Sequence, residues 1–379
     1  MNTVPMITPG SITGIEGLGT RPVYFVKLHG AATANLVIKG EADAQTMSSK
    51  ELEISISWAS KLMKNVQNSQ VNSKLMNPAE IQVFKTAAAA KFGKDTREFD
   101  FVFGDFRCKW VKMPFVNGLS DADFLSEVEA KSGDYTYKTR EFDMRLFKMT
   151  IIKLSEDAVW RDLGKTVAVD IFNGNNDRFN LVTGQWSNFG NIMFLTGGQT
   201  RVIGLDTFDT NSGGTTSNLG RRGGVFPELR ILIDAAKRRQ FATACTKSVG
   251  ETLRFRAVED GRVHTIKLQV NGQTGQGTME LSCSILPKLF IPFAEPFEQG
   301  LAQGANDLRT YLQAKVAQYG AAPAGAPAFA AAAAPHRFAG GHRAPARPAA
   351  LTPGVRPATL APTKTMPQGI LDRMKFLGW

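Results

Sequence analysis

Apolar positions recur along the chain in two periods, and the switches between them divide it. RPVYFVKLHG and ANLVIKG are short runs rich in Val, Ile and aromatic residues, broken at His29–Gly30–Ala31, which predicts strand, turn, strand. In SSKELEISISWASKLMKNV, Leu52, Ile56, Ala59, Leu62 and Met63 are spaced three and four apart. Ser48 or Ser49 stands at the cap and Glu51 in the first turn, so a helix of about four turns is expected. A second helix is expected over PAEIQVFKTAAAAKFG, and strands over FDFVFGD and FRCKWVKMPFV. Beyond Gly118 helical spacing takes over, in DADFLSEVEAK, from Glu141 to Leu154, in SEDAVWRDLGKTVAVDIF, in ELRILIDAAKRRQFATAC, and again between Met279 and Tyr319. One hairpin interrupts it, with NIMFL and RVIGLD flanking the turn Thr196–Gly197–Gly198–Gln199–Thr200. The expected class is α+β in two lobes: strand-rich over 21–116, helix-rich over 117–320, joined near 113–118.

Three stretches carry no period. Residues 1–20 read as a flexible leader and TNSGGTTSNLGRRGG as a flexible loop. Residues 321–379 read as a disordered, basic Ala/Pro-rich tail, ending in a short amphipathic segment with Ile370, Leu371, Met374 and Leu377 on one face. With Phe376, Trp379, Arg373 and Lys375, that segment suits the core, a partner groove, or a weak contact with an anionic membrane surface. Deleting the tail is expected to leave catalysis intact.

Composition narrows the classes. With 43% hydrophobic and 21% charged residues in 379, the chain is neither collagen-like, coiled-coil nor wholly disordered. No apolar stretch reaches the 18 or so residues of a transmembrane helix, and no signal peptide is visible. Three cysteines without a C-x-x-C pair argue against a disulfide framework or cysteine zinc site, and for a reducing, cytoplasmic setting. More than half of the net charge of +11 lies beyond residue 320, scattered among Ala and Pro, so a specific nucleic-acid partner is not expected. H-E-x-x-H and G-x-S-x-G are absent. Gly164–Lys165–Thr166 ends like a phosphate-binding loop, but Val159 stands where its first glycine belongs.

What remains points to phosphoryl transfer. Lys39 ends an apolar strand run, where an ammonium can neutralise phosphate oxygens, although a strand-end lysine is more often merely solvated. Glu51 or Glu53 on the next helix can orient it, as in kinase sites, or can simply favour the helix dipole. The loop from Asp170 to Phe179 holds Asp177, fitted to orient or deprotonate an acceptor hydroxyl. Asn191 opens one hairpin strand and Asp206 closes the other, hard oxygen donors that can share metal ions. The bland alternative is a turn cluster at NGNND.

The segments GNNDRFN, GNIMF and RVIGLD, with YFVKLHG and LVIKG upstream, resemble the catalytic core of the atypical kinases, a group with the phosphoinositide 3-kinases and the actin-fragmin kinase family. The likeness is greatest to actin-fragmin kinase-like domains and spans roughly residues 21–320. It implies a two-lobed protein kinase-like fold and a Ser/Thr protein kinase using ATP with Mg²⁺ or Mn²⁺. It implies Lys39 on the α/β-phosphates with Glu51, Gly30 letting backbone approach phosphate, and Met113, Phe115 and Val116 beside the adenine. Asp177 would be the catalytic aspartate with Arg178 next to it, and Asn191 and Asp206 the metal ligands. Actin or another host protein is the acceptor suggested at family level, and leader and tail suit a secreted bacterial effector acting in a host cytoplasm. The sequence departs from the pattern at Phe179, where lipid kinases have histidine, at Val182, and at Asp206–Thr207–Phe208 in place of D-F-G. A catalytically inactive kinase-like scaffold is the competing reading, and adenylylation or lipid phosphorylation a third.

Overall fold

The computed structural model describes residues 4–18, 22–41, 48–67, 73–104, 108–116, 119–120, 124–132, 135–188, 191–195, 201–205, 225–272, 275–320 and 366–379. Five strands form one antiparallel N-terminal sheet: β1 (Ile12–Gly17), β2 (Val23–Leu28), β3 (Leu36–Glu41), β4 (Lys74–Leu75) and β5 (Lys109–Pro114), in the order β1-β2-β3-β5-β4. Tyr24, Val26, Leu28, Leu36, Ile38 and Trp110 point to one face, where the helices α2 (Pro78–Lys91) and α3 (Arg97–Phe103) bury them with Phe84, Ala88, Phe101 and Val102. Lys39 pairs across the sheet with Val23 and Val111, so it shares the opposite face with Val37, Val111 and Met113.

That second face is met by α1 (Ser49–Gln67), inserted between β3 and β4. Its first turns bury Leu52, Ile56 and Ala59 against the sheet. Its later turns bury Trp58, Leu62, Met63 and Val66 in the large C-terminal core. At its end the Gln67 amide donates to the Asp162 carbonyl and to Thr166 Oγ1. One helix thus joins sheet and helical region.

The C-terminal region centres on α5 (Asp157–Asn173), buried along most of its length. It packs on the long helix α8 (Ala294–Gly320) at backbone distance: a methyl on Gly164 would stand 2.8 Å from the Leu301 amide nitrogen. The helices α4 (Met144–Leu154), α6 (Ala235–Phe255) and α7 (Leu286–Leu289) complete the surround. A three-stranded sheet β10-β9-β6 joins β6 (Leu119–Ser120) to the antiparallel hairpin of β9 (Ile192–Phe194) and β10 (Val202–Gly204). The architecture is α+β, an N-terminal five-stranded sheet followed by a helical C-terminal region.

Five expectations give way. The leader over 1–20 contains β1, and Val4 and Ile7 are buried. A buried ion pair, Lys112 with Glu80, fastens it: the Lys112 ammonium donates to the Pro5 carbonyl at 2.7 Å and the Ile7 amide to Glu80 at 3.2 Å. Phe99–Phe103 of FDFVFGD are helical, within α3, because Thr96 caps the helix and Glu98 and Asp100 lie in its first turn, outweighing aromatic strand preference. The described part of DADFLSEVEAK runs as a strand from Leu125, in β7 (Leu125–Ser132), paired with β8 (Tyr135–Phe142). Likewise Met279 lies in a ribbon of β11 (Thr265–Gly272) and β12 (Gly275–Ser282), and the long helix begins at Ala294.

The fifth concerns the C-terminus. Residues 321–365 lie outside the described residues, but α9 (Gln368–Leu377) is docked on the core with Ile370, Arg373, Met374 and Leu377 buried. Of the settings that segment suits, the core is the one seen: Ile370, Met374 and Leu377 pack with the residues of the helical region, so the segment is not part of a disordered tail.

Candidate functional site

The site grows from the end of α5. Gly174 stops that helix in the left-handed conformation, φ 75°, which glycine adopts without strain. Asn175 then folds the chain back: its Oδ1 accepts the Asp177 amide at 2.8 Å, and its Nδ2 reaches Asp170 Oδ1 at 3.5 Å. The turn leaves Asn176 and Asp177 exposed between the buried Asn175 and Arg178. Asn191, itself buried, donates its side-chain amide to Asp177 Oδ2, and Asn188 donates to Oδ1 at 3.4 Å. Loop aspartate and hairpin asparagine, fourteen residues apart, meet side chain to side chain.

Arg178 supplies the frame. The resemblance groups it with the catalytic residues, but its side chain is fully buried and reaches no open surface. Its guanidinium is ion-paired with Asp170, donates to the Asn191 carbonyl at 3.2 and 3.0 Å, and donates to the Leu205 carbonyl at 2.6 Å. One side chain thereby ties loop, hairpin entrance and hairpin exit. Gly204 permits this approach, since a methyl there would stand 2.7 Å from Arg178 Nη2. Phe179, the residue in the histidine position, stacks on Trp186 at 6.1 Å and is buried.

Asp206, the other expected metal ligand, lies just outside the described residues. Among the described residues no group of three or more His, Cys, Asp or Glu converges on a common point. The oxygens of Asp177 and Asn191 are nonetheless hard donors of the kind Mg²⁺ and Mn²⁺ take.

On the N-terminal sheet, the Lys39 ammonium pairs with Glu41 Oε1 at 2.9 Å, a carboxylate two residues along its own strand that the sequence reading did not weigh. Glu53 is exposed on α1, and the Glu51 side chain lies outside the described part. Gly30 takes φ 82° in the β2–β3 turn. Met113 is buried on β5, and Phe115 and Val116 follow as the link toward β6. The Phe115 ring meets Phe25 edge-on at 5.8 Å, and its amide donates to the Asn35 carbonyl at 3.1 Å. Phe25 and Phe115, with Gly14, Glu16 and Lys27, line a concavity of about 730 Å³ beside the β2–β3 turn. Lys27, on the same sheet face as Lys39, is thus a further cation that the motif reading passed over. Alternation along β2 was the signal that could have found it.

No protein-family model, curated protein or solved structure matches the chain. None of the described helices is long and apolar enough to cross a membrane.

Proposed function

We propose that the chain is an ATP-dependent phosphotransferase of two-lobed, kinase-like build, passing the γ-phosphoryl group to a Ser or Thr hydroxyl of a protein. The observation that carries the reading is the Asp177–Asn191 contact, held on the Arg178 frame where a helix-end loop meets a hairpin. A base for the acceptor hydroxyl and a hard donor for a phosphate-bound cation are needed side by side in phosphoryl transfer. A strand bearing a lysine, followed at once by a helix packed on the same sheet face, also suits that chemistry, since kinases hold their phosphate-binding lysine on the third strand.

In this reading Asp177 accepts the hydroxyl proton as the acceptor oxygen attacks. Lys39, turned by Glu41, neutralises phosphate oxygens. Asn191, with Asp206, would hold Mg²⁺ or Mn²⁺, which would supply positive charge to the phosphates. Phe25 and Val37, both half-buried, offer apolar surface for a base on the same sheet face as Lys39, whereas Met113 is buried there against α1. The acceptor protein belongs to the proposal only as a class, with actin one member. The leader, now a strand, no longer speaks for a delivered effector, and only the tail's composition does.

Calorimetric titration with Mg-ATP tests the nucleotide half. Wild type should bind, and Lys39→Ala should weaken binding about tenfold or more, the scale of a lost charge-assisted contact. Equal binding by both removes Lys39 from the site.

A further inference from the structure

We infer that Arg373, on the C-terminal helix α9, is a positioning residue for the Asn175–Arg178 loop. The inference deepens the phosphotransferase reading and rests on it for its catalytic consequence alone.

A helix leaves its last carbonyls without partners inside the helix. At the end of α5 the Asp170 carbonyl accepts the Asn175 amide at 2.8 Å, and the Ile171 carbonyl accepts Gly174 at 3.2 Å. The Phe172 carbonyl is taken by Arg373 Nη1, from 201 residues further along the chain. The guanidinium lies over two rings, Phe172 at 6.0 Å and Phe226 at 5.5 Å. Trp379 stacks flat on the other partner of this grip, Phe172, at 5.9 Å and 3° between planes. Burial pushes the Arg373 pKa down to about 9, so the group stays charged at neutral pH, where a cation at a helix C-terminus is favoured.

What makes this more than packing is which turn is gripped. The same last turn of α5 carries Asp170, which holds Arg178 and reaches Asn175, the two residues that set Asp177. Phe172 is therefore held by α9 while Asp170, two residues before it, holds the loop. Loosening one end of that turn frees the other. Lysine cannot reproduce the grip, since it lacks the planar fork that bonds a carbonyl and covers a ring together.

The test is Arg373→Lys in the full-length chain, read by amide hydrogen exchange over residues 175–178 and by kcat and KM. Exchange in that loop should rise about tenfold, the scale of local opening made easier by a lost anchor. A displaced loop should lower kcat about tenfold or more while KM for ATP holds. Ile151→Ala, a fully buried truncation in α4, whose end meets the start of α5 where Trp160 Nε1 donates to the Leu154 carbonyl, serves as the control that loosens the same core at the far end of α5. Loop exchange rising no more in Arg373→Lys than in Ile151→Ala would overturn the inference. Should Arg373→Lys fail to fold, Trp379→Ala removes the Phe172 stack while leaving the Arg373 side chain in place and must produce the same loop-confined rise, or the inference falls. If wild type proves to turn over no ATP, the function proposal fails while the exchange measurement still decides the coupling.

Discussion

Arg178 and Asp170 form an ion pair with both side chains out of solvent, one residue from the exposed carboxylate of Asp177. Removing one member of a buried pair strands the other charge, at about 3–5 kcal/mol. Asp170→Asn and Arg178→Met should each lower unfolding free energy by that order in urea titrations. The double variant should lose less than the two singles together. Strict additivity would mean the pair does not bind loop to hairpin.

Gly204 sits against the same guanidinium. Gly204→Ala brings a methyl to 2.7 Å from Arg178 Nη2 and collides with Thr166 as well. Overpacking of this kind costs about 1–3 kcal/mol, and the hairpin must shift to relieve it. A drop in Tm with loss of transfer is expected. A variant that keeps both shows the hairpin free to move.

Glu80 gives the fold an acid-sensitive joint. Burial alone would raise its carboxyl pKa, but hydrogen bonds from Lys112, Ile7 and Asn77 and the Lys112 charge outweigh it and hold the pKa below the ordinary glutamate range. A carboxylate with a depressed folded pKa contributes stability present above its unfolded pKa and lost as pH falls through the folded one. Urea midpoints should therefore decline as pH falls below the ordinary glutamate range. Glu80→Gln should flatten that decline while lowering stability at neutral pH, and equal pH slopes would contradict the assignment.

Cutting the chain before α9 should cost far more than the disordered-tail reading allows. Ile370, Met374 and Leu377 are each buried, and a buried side chain of that size contributes about 1.5–3 kcal/mol. Removal of residues 366–379 should lower Tm clearly, whereas deleting only 321–365 with a short joining linker should not. Equal stability of the two deletions would place α9 outside the core.

Strands β2, β3 and β5, α1, α2 and the β9–β10 hairpin were legible because each follows one clean period between turn residues, whereas β1 and the two-residue β4 were not. α3 was not, since aromatic content imitates a strand and the decisive feature is the Thr96 cap. In SEVEAK the polar alternation that makes β7 reads as a helix surface until its partner strand is known. The loop motif located Asp177 and Asn191, and side-chain contact between them is seen in the fold. Burial of Arg178 was invisible: a charged residue beside a candidate base reads as chemistry until its partners, Asp170 and two hairpin carbonyls, are assembled. Arg373 and Phe172 are 201 residues apart, so no local pattern could join them.

Transfer of label from ATP tests the central claim most directly. Full-length protein, Mg²⁺ or Mn²⁺ and a cell lysate are incubated with γ-labelled or α-labelled ATP, alongside Asp177→Asn, which removes an exposed carboxylate and leaves the fold in place. Wild type should transfer γ-label to protein serine or threonine, and Asp177→Asn should lose about a hundredfold or more, the scale of a missing general base. Transfer of α-label instead, no transfer by wild type, or full activity in Asp177→Asn would contradict the account.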